Sequence, residues 1–143
     1  MATPKTPRRR IDSQAGRAAV RNWRASTREP DLHQPSAAIA QDAAPTVDRT
    51  TLATAVRFTL EELASRAPGQ ALEVRVPPFG ATQCIEGPSH RRGTPPAVVE
   101  MSPVVWLGLV TGRVTWADAV AAGEVDASGE RSDLSAHLPI EDL

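Results

Sequence analysis

Residue types able to do chemistry are few in this chain and widely spaced. One cysteine, Cys84, and three histidines, His33, His90 and His137, stand among 143 residues. With a single thiol, no disulfide can close within the chain, and a zinc site built on thiolates lacks its ligands. A nucleophilic thiol would need one of those histidines as its base. The residues around it, "ATQCIEG", carry no nucleophile signature, and in a strand a lone cysteine behaves as a small buried hydrophobe. Serines, histidines and aspartates occur without an elbow motif. No phosphate-loop or dinucleotide glycine pattern is present. The sequence therefore predicts no catalytic residue, no metal ligand set and no cofactor. What remains is cationic: Arg75, His90, Arg91 and Arg92 could meet a carboxylate or phosphate, or simply form a solvated strand and loop.

Charge is distributed unevenly. Residues 1–28 hold eight basic residues against Asp12, while the remainder holds eight against sixteen acidic ones, so a net charge of −1 hides two opposed halves. On the expected first helix, from Asp12 or Ser13 to about Ala25, Arg17, Arg21, Arg24 and Arg28 share one face. Ala19, Val20 and Trp23 share another. The stripe suits an acidic protein partner, the acidic body of the same chain, or an anionic membrane surface. Nucleic acid is the weaker reading, because no aromatic interleaving or reader motif accompanies the arginines. The basic start is not followed by an apolar run, so no secretory signal is expected. A reducing, cytoplasmic location fits the single cysteine.

Residues 1–10 and the proline-containing stretch 26–46 show no period and are expected to be disordered or linking. The expected division is thus a basic N-terminal arm, 1–46, with one helix and a Pro-rich linker, and a domain over 47–143. Asp48 should cap a helix whose Leu52, Val56, Leu60 and Leu63 make one stripe, closed by Pro68-Gly69. "ALEVRVP" alternates as a half-buried strand. "FGATQCI" alternates again, with Phe79, Ala81, Gln83 and Ile85 together. After a Gly/Pro loop, "AVVEM" is a short strand, and the two strands around that loop read as a long hairpin. Ser102-Pro103 starts a helix that Gly112 stops, and Thr115 with Asp118 starts another that Gly123 stops. "EVDASG" is a strand with Val125 and Ala127 inward, and a last helix is expected over about 130–138. Helices segregated from a mostly antiparallel sheet give an α+β class.

This order, and the segment "WLGLVTGRVTWADAVAAGEVDASGERSDLSAHL", resembles the sterol carrier protein type-two family. The carrying positions are Gly112, Gly123, Val125 and Gly129, and the resemblance covers roughly residues 48–140. "LEVRVPPFGATQCIEGPSHRRGTPPAVVE" is similar to a small actinobacterial branch of that family. The resemblance implies a sheet of about five strands covered on one face by short helices, with an apolar tunnel between them for an acyl chain, sterol or phospholipid. The same fold also serves as an accessory domain of bacterial enzymes, so a closed copy is the alternative.

The reading is a non-catalytic lipid-binding or lipid-carrier protein. Val56, Leu60, Phe79, Trp106, Val110, Trp116 and Val120 are expected to line the cavity, with Arg91 and Arg92 at its mouth. A tunnel wall at Trp106 predicts that its loss harms ligand affinity more than stability. The alternative is a protein–protein adaptor or accessory module with a closed fold and the basic arm as docking element.

Overall fold

The computed structural model describes residues 10–26, 47–87, 97–129 and 132–143. The expected disorder of 1–9, the linker at 27–46 and most of the loop carrying His90, Arg91 and Arg92 lie outside them. Among the described residues four helices, α1 (Ser13–Ser26), α2 (Arg49–Arg66), α3 (Pro103–Val110) and α4 (Trp116–Ala121), accompany four strands, β1 (Leu72–Val76), β2 (Gly80–Cys84), β3 (Ala97–Met101) and β4 (Val125–Ser128).

Local chemistry sets the element ends. The Asp48 carboxylate accepts the Thr51 N–H at 2.8 Å, and hydrogen bonds from the Thr51 side chain and backbone together hold that carboxyl below its usual range. Ser102 Oγ accepts from Val105 N–H at 3.3 Å, with Pro103 in the first helical turn. Thr115 Oγ1 accepts from Asp118 N–H at 3.1 Å, and Asp12 caps α1 through Ala15 N–H at 3.0 Å. Gly112 and Gly123 leave α3 and α4 with φ of 79° and 71°, the left-handed turn that lets a chain leave a helix without a Cβ clash.

The class is α+β, but the sheet is four-stranded and mixed, in the order β2-β1-β3-β4. This corrects the expected five strands and the expected hairpin across the Gly/Pro loop. β2 returns instead along β1, antiparallel, with Val76 opposite Gly80 and Leu72 opposite Cys84. The turn is Pro77-Pro78-Phe79, where Phe79 N–H meets Val76 O at 3.0 Å. β3 then lies parallel to β1 on its other side, and β4 closes the edge antiparallel to β3. The long loop is a crossover, not a hairpin.

One face of the sheet is apolar. Leu72, Val74, Val76, Cys84, Val99 and Met101 are buried there. The other face carries Arg75, exposed Ala81 and Gln83, and Glu100, with Arg75 Nε 3.0 Å from Glu73. Ala81 and Gln83 therefore do not join Phe79 and Ile85 in the interior: Phe79 belongs to the turn, and Ile85 leaves β2 at φ 67°. That is a strained conformation for a β-branched residue. It lets Ile85 N–H reach Ala67 O at 2.7 Å while Ile85 O accepts from Ala71 N–H at 3.0 Å, tying the end of α2 to the end of β2. Ala127 pairs with buried Val99 yet is exposed, because β4 is an edge strand. The expected last helix is reduced to a 3₁₀ turn at Ser135–His137, with Leu134 fully buried as its anchor.

α2 is enclosed on several sides, with Ala55, Val56, Phe58, Leu60 and Leu63 all buried. α3 is apolar throughout and buried from Val105 to Val110. α1 packs on α2, and its Ala19, Val20 and Trp23 share one continuous core with the sheet and α3. The backbone N–H groups of Arg10 and Ile11 donate to Glu61 at 3.0 and 3.2 Å, fixing the start of α1 to α2. At its far end Arg24 donates to Thr111 O at 3.1 Å, Arg113 donates to Arg24 O at 2.6 Å, and the Arg113 guanidinium lies 5.1 Å over the Trp23 ring.

Candidate functional site

The layer between α2, α3 and the sheet is where the aliphatic stripe of one helix meets an all-apolar second helix. Four of the predicted lining residues converge there: Val56 and Leu60 from α2, Trp106 and Val110 from α3, all buried. A polar pair lies among them. Trp106 Nε1–H donates to Thr59 Oγ1 at 2.8 Å, and that hydroxyl is within 2.7 Å of Ala55 O and 2.9 Å of Val56 O. An indole N–H taken out of water is costly unless it finds an acceptor, and Thr59 supplies one from the helix wall. Thr59 was not legible as a functional partner; the only hint is a hydroxyl in the middle of α2's apolar stripe.

The other three predicted lining residues stand elsewhere. Trp116 opens α4 half-buried, while Val120 is 47% exposed on the outside of that helix, where only Ala119 is buried. Trp116 and Ala119, three residues apart, form the inward side of this helix, so Val120 falls on its outer side. Phe79 sits at the rim, in the hairpin turn. Arg91 and Arg92, the predicted mouth, lie outside the described residues.

Around Phe79 a cleft of about 250 Å³ is lined by Arg49, Thr50, Ala53, Thr54, Arg57 and Pro78. Two further clefts, of about 350 and 400 Å³, flank the C-terminal segment, one against Leu63, Arg66 and Ala67, the other against Arg24 and Thr111. Phe79 is the one predicted lining residue that borders any of these three. Arg49 and Arg57 were missed from sequence, although Arg49, Ala53 and Arg57 recur four residues apart, the spacing of one helix face.

The thiol is placed against catalysis. Cys84 is fully buried at the end of β2, and burial pushes its pKa up to about 12. Among the described residues no group of three or more His, Cys, Asp or Glu could hold a metal ion. In native protein at pH 8, Cys84 is expected to react with a disulfide reagent orders of magnitude more slowly than a free cysteine, and at the ordinary rate in denaturant. The same burial has a stability consequence. The folded state holds the thiol proton more tightly than the unfolded state does, so this contribution is complete below about pH 9 and is lost as pH rises toward about 12. Cys84→Ala should flatten the alkaline fall of stability in urea titrations across that window; an unchanged slope would show that other groups cause it.

A family model described as "Bacterial SCP ortholog" matches residues 48–140, from the cap of α2 to the buried Ile140. No curated protein matches the chain. No helix among the described residues is long and apolar enough to cross a membrane.

Proposed function

The chain belongs to the bacterial sterol carrier protein-like family, and on that footing we propose that it is a non-catalytic carrier that shields an acyl chain or sterol-like ligand between α2, α3 and the sheet. The observation that carries this reading is the apolar layer itself. Val56, Leu60, Trp106 and Val110 meet there with a single satisfied polar pair, Trp106 and Thr59. A hydrocarbon ligand asks for little else: each methylene removed from water contributes ~0.8 kcal/mol, without directional chemistry. The side chains in this layer are packed against one another, so a ligand enters by separating α2 and α3 from the sheet, and the transfer energy of the chain offsets the loss of their mutual contacts. Cytoplasmic residence goes with this role.

A second reading rests on a different observation. The core is closed by α1, and Arg17 and Arg21 stand exposed on it, while Arg24 reaches back to Thr111 O. In this reading the chain is an adaptor or accessory module that docks an acidic protein or an anionic membrane surface through its basic N-terminal segment, with residues 47–143 as the scaffold.

Native mass spectrometry of freshly purified full-length protein, followed by solvent extraction, separates them. Adducts of discrete lipid mass that return after delipidation and re-addition are expected for a carrier. A bare mass with no uptake of a fluorescent fatty acid would abandon the carrier for the adaptor.

A further inference from the structure

We infer that the cleft at the start of α2 is an anion site, built to hold the carboxylate or phosphate of an amphiphilic ligand, an inference that rests on the carrier reading and supplies its polar end. The cleft has a cationic rim and an apolar floor. Arg49 and Arg57 lie two helical turns apart on α2, and the hydroxyl-bearing Thr50 and Thr54 fall between them. Ala53, Pro78 and Phe79 complete the lining.

Both guanidinium groups are held in place by the hairpin turn opposite. Arg57 Nε–H donates to Phe79 O at 2.9 Å, and the Arg49 guanidinium stands 5.4 Å from the centre of the Phe79 ring. Such anchoring limits the rotamer freedom that an arginine otherwise loses on binding an anion, and the planar fork presents paired donors to two oxygens. Among the described residues no acidic side chain lines the cleft. The carboxylates nearest in sequence have partners of their own: Asp48 accepts from Thr51 N–H, and Glu61 accepts from the backbone of Arg10 and Ile11.

The floor leads inward. Beneath Gly80, next to Phe79, Leu60 Cδ1 and Arg57 Cγ come within 3.5 and 3.8 Å of where a Cβ would stand. Leu60 belongs to the apolar layer, so a headgroup bound at Arg49 and Arg57 has its chain beside the route into that layer.

The test is a titration of the full chain, labelled with ¹⁵N, followed through the Arg Nε–H and backbone amide resonances. The probes are dodecanoate, dodecyl phosphate, methyl dodecanoate and inorganic phosphate, all below micelle-forming concentrations. The two charged amphiphiles are expected to shift Arg57 Nε–H and the amides of Thr50, Thr54 and Phe79. Arg49→Gln and Arg57→Gln should each weaken them by about tenfold, as the loss of a charge-assisted hydrogen bond implies. Affinity for methyl dodecanoate should be unchanged. Arg49→Gln keeps the Arg57–Phe79 bond, so it reports on the site even if Arg57→Gln loosens the hairpin. If inorganic phosphate moves the same resonances and the chains add nothing, the anion site stands with free phosphate as its occupant, and the carrier reading falls. If charged and uncharged chains bind wild type and both variants alike, the site is overturned and the carrier reading stands. Silence of these resonances with every probe overturns the site as well.

Discussion

Trp106→Ala is expected to cost about 3–5 kcal/mol of stability, the range for deleting a large buried aromatic from a core that only partly collapses. Trp106 is fully buried, and α3 brings it against α2, where Thr59 accepts its N–H. Truncation removes the ring and leaves a void bordered by its neighbours. The Thr59 hydroxyl remains hydrogen-bonded to the α2 carbonyls, so the cost is mainly packing. Thr59→Val isolates the polar part: it removes the acceptor, keeps the shape, and strands the indole donor, at about 1–3 kcal/mol. Urea unfolding of the two variants measures both quantities. If Trp106→Ala unfolds within about 1 kcal/mol of wild type while losing fatty acid uptake, the residue is the wall of an open cavity, as the sequence alone suggested. A large loss of stability means that α3 is pinned to α2 by this pair, and that ligand entry has to work against it.

How far the sequence spoke depended on the range of the interaction. Asp48, Ser102-Pro103 and Thr115 were legible because a cap acts within three residues, and Gly112 and Gly123 because a left-handed turn leaves little choice of residue. The partner of a strand is not written locally. "FGATQCI" and "AVVEM" alternate equally well whether they pair with each other or each with β1, and the tight turn at Pro77-Pro78 decided in favour of β1. Ala81 and Gln83 went to solvent for the same reason, since the register Leu72 to Cys84 puts the cysteine inside. At the candidate site, Val56, Leu60 and Val110 followed from helical spacing. The Thr59 bond to Trp106 did not, because it joins residues 47 apart in the chain. The grouping of Arg49, Arg57 and Phe79 was hidden in the same way, by a turn 22 residues downstream of Arg57.

Removal of residues 1–28 is expected to destabilise the remainder by several kcal/mol, with a fall in Tm of ten degrees or more on the order-of-magnitude scale for a domain this size. α1 contributes Val20 and Trp23 to the core, exposed to only 1% and 2%, and each such side chain is worth about 1.5–3 kcal/mol when fully buried. Deletion would also uncover Phe58, which meets Gly16 so closely that a Cβ there would overlap its ring. Truncation therefore confounds loss of a docking arm with loss of a core helix. Two substitutions separate them. Gly16→Ala keeps every charge and improves helix propensity, yet forces α1 and Phe58 apart, so thermal melting should show destabilisation with the arginine face intact. Arg17→Gln with Arg21→Gln removes two charges from the exposed side and should leave Tm within a few degrees of wild type. If the basic face is a docking element, the double variant loses salt-sensitive binding to anionic vesicles or to an acidic partner, while Gly16→Ala loses it only in step with folding. A Gly16→Ala protein as stable as wild type would mean that α1 is held by its ends, through Glu61 and Thr111, rather than by the face that meets α2.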